Sequence, residues 1–220
     1  MPADGRAHAR TDGADTQKKS IQAVQRLRPD VVAERAAFAE WQKTVDGARV
    51  VCVDESGIVI GARVAYGYAP RGERCVEHAP YRKGKRTNLL GWIGLGRGKV
   101  VAVQGYVDGD VFEMFVREHL APSLKTGDIV VWDNHSIHKR PVLREMIEAR
   151  GASLVPQPRY SPEFNTSEPM WSKVKHGAKR ARSETQAALF EALGAAVGTL
   201  TWEDSAGWLR YCGYTISPTA

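Results

Sequence analysis

Two short apolar runs in this sequence end in carboxylates, Val51-Cys-Val-Asp54 and Val130-Val-Trp-Asp133. Such runs have the pattern of central buried strands, and the strand ends of an open α/β sheet are where sites gather. If the two strands are neighbours, their acids stand side by side. Adjacent anions repel and their pKa values separate unless a cation lies between them. Mg²⁺, which takes hard oxygen ligands, is suited to that place. Glu55 directly follows Asp54, and side chains alternate along a strand, so only one of the two can face the site. Spacing alone does not choose between them.

A third acid, Glu168, follows the turn residues Pro162 and Asn165. Ser167 or Thr166 can cap a helix there, with Pro169 in its first turn. Glu168, Trp171, Val174 and Ala178 then share one face. Trp171 and Val174 should pack on the sheet, which projects Glu168 towards the strand ends. Taken alone, Glu168 reads as a helix-start charge favoured by the macrodipole.

The remaining elements must position these acids. Ile21–Lys43 reads as helical, broken at Arg28-Pro-Asp30, where Asp30 can cap a second helix. After the strand ending at Asp54, Gly57 and Gly61 punctuate the chain and Ile58–Tyr68 can form a second strand. Residues 70–86 are irregular and basic. Leu89–Leu95 and Lys99–Tyr106 read as strands around the turn Gly96-Arg-Gly98. A helix from about Asp110 carries the stripe Phe112, Phe115, Val116 and Leu120. Pro141–Arg150 is a short helix stopped by Gly151, and Ser153–Val155 a short strand. Helices start near Ser167, Ser183 and Thr201, with Ser183-x-x-Gln186 in the spacing of a capping box. A mixed α/β sheet with helices on both faces is the natural packing.

The chain has 220 residues, 43% of them hydrophobic, which suits one domain with a sizeable core. It has no run of 18 apolar residues, so no membrane span is expected. The first residues have no apolar stretch of the secretory kind. Residues 1–19, polar and charged, should be a disordered tail. Residues 20–46 should be a helical linker and residues 47–216 the catalytic domain. Cys52, Cys75 and Cys212 form no C-x-x-C pair, and an odd count suits thiols in a reducing cytoplasm. A net charge of +6 favours a polyanionic partner.

In its motifs the chain resembles the DDE transposases of the insertion sequence 630 type, the bacterial branch of the mariner superfamily. That family shows a D-E-S/T-G strand end, here Asp54-Glu-Ser-Gly57, and a D-N-x-x-x-H-K segment, here Asp133 to Lys139. Its P-x-Y-S-P-D-L-N-P-I-E-x-x-W-S-K-L-K stretch corresponds to Pro158–Lys175, with Glu163-Phe-Asn-Thr-Ser-Glu168 where the family has Asp-Leu-Asn-Pro-Ile-Glu. Ala69-Pro-Arg-Gly72 and Arg28-Pro-Asp-Val-Val-Ala33 are further similar segments, and the likeness spans residues 18 to 214. It implies an RNase H-like fold and a catalytic triad of Asp54, Asp133 and Glu168, with Asp54 rather than Glu55 at the site. Such transposases begin with a helix-turn-helix region, to which nothing in this sequence corresponds. A truncated copy, one frame of a two-frame element or an isolated domain would account for that.

The resemblance further implies metal-dependent phosphodiester cleavage and strand transfer at transposon ends. Two Mg²⁺ ions, or Mn²⁺ as substitute, about 3.5–4 Å apart suit that chemistry. Asp54 should bridge them, with Asp133 and Glu168 completing one each. Expected partners are double-stranded DNA, as terminal inverted repeats and target, and a second copy of the chain, in a bacterial cytoplasm at the nucleoid. Lys173, Lys175, Lys179, Arg180 and Arg182 follow Glu168 without an intervening acid and can grip phosphate. Arg82–Arg86, with Lys85 and Arg86, is a second basic candidate. His138 could touch the scissile phosphate or orient a carboxylate; hydrogen bonding at a strand-to-helix turn is the plainer reading of it and of His135. Two other functions stay open: a stand-alone RNase H-like nuclease, and an inactive remnant that only binds DNA or protein.

Overall fold

The computed structural model describes residues 22–80 and 84–217; the expected disordered tail, and Arg82 and Lys83 of the basic stretch, lie outside them. Five strands, β1 (Val50–Val59), β2 (Arg86–Gly94), β3 (Arg97–Val103), β4 (Ile129–Trp132) and β5 (Ser153–Pro156), form one mixed sheet in the order β3-β2-β1-β4-β5. β1, β2 and β3 are an antiparallel meander, and β4 and β5 run parallel to β1. The two apolar runs are therefore neighbours, with Val50 opposite Ile129 and Cys52 opposite Val131.

Alternation along these strands makes two cores. Val50, Cys52, Leu89, Ile93 and Val131 face one side. There they meet α4 (Ser167–Arg180), α5 (Gln186–Val197), α6 (Trp202–Tyr211) and Phe38 of α1 (Pro29–Gln42). Val51, Val53, Leu90, Trp92, Val130 and Trp132 face the other. They are covered by α2 (Gly109–Phe115), the π-helical turn Val116–Leu120 that continues it, and α3 (Pro141–Glu148).

Four local expectations need correction. The second strand at Ile58–Tyr68 is absent: β1 runs unbroken to Val59, and described residues 60–85 hold no strand. Gly57 does not interrupt β1. It pairs with Asn88, and the Arg86 guanidinium lies where a Cβ would be, 2.5 Å from its ideal position. At the N-terminal side, a single 3-10 turn, Val24–Leu27, precedes α1, and Pro29 opens that helix after Arg28. Asp30 is not the cap, because its carboxylate is taken by Arg28 and Arg159. The cap of α5 is Thr185, whose hydroxyl accepts from the Ala188 amide at 3.2 Å, and not Ser183. A capping box does close the start of α6, between Thr201 and Asp204. The expected hairpin between β2 and β3 is present, but its turn is Leu95-Gly96, with Gly96 at φ +66°, while Arg97 and Gly98 already pair in β3.

Candidate active site

Asp54, Asp133 and Glu168 line one open cavity of about 740 Å³. Asp54 does not end its strand as its apolar run suggested: β1 continues past it to Val59, and only Asp133 lies just beyond the end of its strand, β4. Each reaches it from a different element. Asp54 shares the α4-facing parity of Val50 and Cys52. Its Oδ2 accepts a hydrogen bond from Asn165 Nδ2 at 3.0 Å and its Oδ1 one from the Glu55 amide at 2.8 Å. Buried Asn165 also accepts, through Oδ1, from the Ser167 amide at 3.0 Å. Asn165 therefore ties the start of α4 to the middle of β1, and it satisfies the helix-start amide in place of the Ser167 or Thr166 hydroxyls. Glu168 stands exposed in the first turn of α4, while Trp171, Val174 and Ala178 below it are buried on the sheet as their spacing requires.

Asp133 follows the last residue of β4. Its Oδ1 is met by the His135 amide at 2.9 Å and by His138 Nδ1 at 2.8 Å. The other ring nitrogen, Nε2, sits 2.7 Å from Glu55 Oε1. Glu55 does point to the opposite face of β1 from Asp54. On that face it meets His138, whose ring packs against Phe112 and Trp132 at centroid distances of 4.3 and 5.4 Å. His138 is thus not a DNA-contact residue. It is buried and both nitrogens are engaged, so no phosphate can reach it.

The charges are unevenly compensated. Burial, followed by repulsion from Glu168, Glu55 and Asp133, pushes Asp54 up from 3.8 to about 7. Asp133 goes the other way. Burial opposes its charge, but hydrogen bonds from His138 and the His135 amide outweigh burial and hold it below its ordinary value. Burial would also lower His138, yet the carboxylates of Asp133 and Glu55 raise it to about 10. An imidazole held between two carboxylates donates from both nitrogens.

The profile of the DDE superfamily endonucleases matches residues 49–189, a span that holds all three acids. The chain belongs to that superfamily. No curated protein matches it. Among solved structures, the Mos1 transposase paired-end complex with left transposon end superposes with a TM-score of 0.69 at 17% identity, over 91% of this chain and 64% of that one. The catalytic domain of Mos1 mariner transposase gives a TM-score of 0.59 at 13% identity, over 90% of this chain and 93% of that one. The same domain with raltegravir and Mn gives 0.60 at 14% identity, over 85% and 91%. The likeness is one of fold: the DDE domain is RNase H-like, a mixed sheet with helices on both faces. The chain spans 64% of the length of the transposase in the paired-end complex.

The donor set of this DDE domain fits divalent cations. All three side chains offer carboxylate oxygens, the ligands that Mg²⁺ and Mn²⁺ prefer. The upward push on Asp54 marks negative charge that a cation would neutralise. Among the described residues no three acids, histidines or cysteines close on a single point, so the carboxylates ring the cavity and do not form a tight cage.

The basic residues sort themselves by position. Lys175 and Lys179 line, with His176 and Glu168, a second cavity of about 400 Å³ that adjoins the first through Glu168. Lys175 also donates to Ser56 Oγ at 2.9 Å. Lys173 points elsewhere: its ammonium is held by Asp204 and the Thr199 carbonyl, so it is not free to grip phosphate. Arg182 is exposed and pairs with Glu77, and Arg180 is exposed at the far end of α4. Lys85 is exposed, whereas Arg86 folds back over Gly57 onto Asn88 Oδ1. His135, Lys139 and Arg159 line the acid cavity itself; only His135 was weighed in the sequence. The sequence pointed to Asn165 only as a turn residue and to Glu55 only as a rival of Asp54.

Proposed function

We propose that this DDE domain is the catalytic part of a transposase of the insertion sequence 630 type, which cleaves phosphodiester bonds at transposon ends and joins them to target DNA. The observation that carries this reading is the convergence of Asp54, Asp133 and Glu168, from three elements, on one open cavity, where burial and then the neighbouring acids push Asp54 up to about 7. Asp54, Asp133 and Glu168 would hold two Mg²⁺ or Mn²⁺ ions. When bound, such ions supply the positive charge that activates the attacking oxygen and stabilises the leaving one. The protein's part is placement. Asn165 fixes Asp54, the His135 amide and His138 fix Asp133, and the seat of Trp171 fixes the helix that carries Glu168. Lys139 brings a cation to the rim of the same cavity, where a phosphate group would enter, whereas Arg159 there is already paired with Asp30 and Glu34. Lys175 and Lys179 extend the positive surface past Glu168 along α4. Terminal repeat DNA, target DNA and a second copy of the chain are the proposed partners, at the bacterial nucleoid.

The test is nicking of supercoiled plasmid in Mn²⁺ or Mg²⁺ by wild type and by Glu168→Ala purified identically. Nicking by wild type, lost in the variant and in EDTA, is the expected result. Equal activity in both proteins would remove Glu168 from the site and overturn the reading. A wild type able to join a 3′-hydroxyl end to plasmid DNA distinguishes a transposase from a simple nuclease.

A further inference from the structure

Asp133 is not held by its own strand. Its side chain is 52% exposed and it lies beyond the last residue of its strand. Left alone it would sample several rotamers. What removes that freedom is a ring that is itself immobile. The His138 side chain is 2% exposed and packs against Phe112 and Trp132. Its Nδ1 meets both Asp133 Oδ1 at 2.8 Å and the Asp133 carbonyl at 3.1 Å. Its Nε2 meets Glu55 Oε1 at 2.7 Å, which fixes the ring's rotation from the neighbouring strand. The acid that alternation turned away from the site therefore still acts on it, through the opposite face of the sheet.

We propose that Glu55 and His138 form a positioning pair that presets the Asp133 carboxylate for a divalent cation. The pair does not touch substrate. Partners of this kind, one bond behind a metal ligand, typically change metal affinity by about 10- to 100-fold when removed. The proposal rests on Asp133 being a cation-holding acid, and the experiment separates the two ideas.

Mn²⁺ alone is titrated into the intact, DNA-free chain, and free Mn²⁺ is read by electron paramagnetic resonance. Thermal unfolding of each variant reports its fold. His138→Phe keeps the packing against Phe112 and Trp132 but removes every contact made by the two ring nitrogens. Without a positioning role, replacing the ring beside Asp133 would tighten Mn²⁺ binding or leave it unchanged. Positioning predicts the opposite sign, a weakening of about ten-fold or more. His138→Asn, whose amide can replace the Nδ1 donor, should recover part of that loss. Wild-type or tighter binding by folded His138→Phe overturns the proposal. If His138→Phe does not fold, Glu55→Gln decides, measured with and without Asp133→Asn. Positioning predicts that Glu55→Gln weakens Mn²⁺ only while Asp133 is present; equal weakening in both backgrounds is a plain charge effect and overturns it. An Asp133→Asn protein that binds Mn²⁺ like wild type, or a wild type that binds none, overturns the site reading itself and the positioning pair with it. Loss in Asp133→Asn beside wild-type binding in His138→Phe overturns only the pair.

Discussion

Asp54 is the acid least at ease with its charge, and that has a consequence for stability. Its ordinary value is 3.8 and its folded value about 7. A carboxyl whose value rises on folding favours the folded chain while it is protonated. That contribution is fully present below pH 3.8 and is lost as pH rises through 7. His138 works in the same direction in a higher window, from 6.5 to about 10, whereas the depressed Asp133 contributes above its ordinary range and loses its effect only in acid. At pH 8 in EDTA, Asp54→Asn should therefore be more stable than wild type by about 2–4 kcal/mol. The gap should shrink towards pH 5. Added Mg²⁺ should raise the melting temperature of wild type and leave Asp54→Asn unmoved. Thermal unfolding across pH 5–8 checks this, and parallel curves for the two proteins would show that Asp54 is not strained. Apolar runs and helical spacing made Asp133 and Glu168 legible as candidates, but left Asp54 and Glu55 as rivals that only the resemblance of motifs told apart. The pairings of Glu55 with His138 and of Asn165 with Asp54 were not legible, since these contacts join residues 83 and 111 positions apart. Local pattern carries no trace of such pairs.

At the scale of elements, α4 is aimed by one close contact. Trp171, a turn below Glu168, lies against Gly91, the residue opposite Asp54 on β2. A Cβ at position 91 would stand 2.6 Å from Trp171 Cη2 and 3.2 Å from the Lys99 carbonyl. Gly91→Ala should overpack this seat and destabilise the fold by about 1–3 kcal/mol. It should also lower nicking at temperatures where the protein stays folded, because the helix that carries Glu168 must shift. Trp171→Phe in the Gly91→Ala background should return part of both losses. Urea unfolding with nicking checks this, and additive losses would mean that the two residues do not meet. Elements with an apolar period of their own were read nearly to the residue, as β4 and α3 were. Those set by partners far away in the chain were misread. Gly57 looked like a break because the Arg86 side chain that covers it is invisible locally, and Asp30 looked like a cap because Arg159 lies 129 positions on.

Across the whole molecule, α1 and the 3-10 turn before it hold the loop that leads to Glu168. Arg26 and Arg35 both grip Glu163, and Arg159 is bound by Asp30 and Glu34. Arg35 is the centre of this clasp: it also donates to Ser161 Oγ at 2.7 Å and lies over the Phe164 ring at 5.4 Å. The loop needs such support, since Tyr160 holds a positive φ of 56°, a conformation uncommon for a side chain other than glycine. Arg35 lies outside the acid cavity, so its replacement tests the clasp without touching the site. Arg35→Met keeps the packing on Phe164 and removes the fork. Partly exposed pairs contribute little to global stability, so unfolding should fall by about 1 kcal/mol. Nicking should fall further, because Asn165 and Glu168 lose the frame that aims them. Arg35→Lys should restore little, as a point charge cannot bond Ser161 and Glu163 together with fork geometry. Full nicking by Arg35→Met would mean that the loop holds its shape unaided. A selective loss would make α1 a lever on the acids, acting through the loop that it clasps.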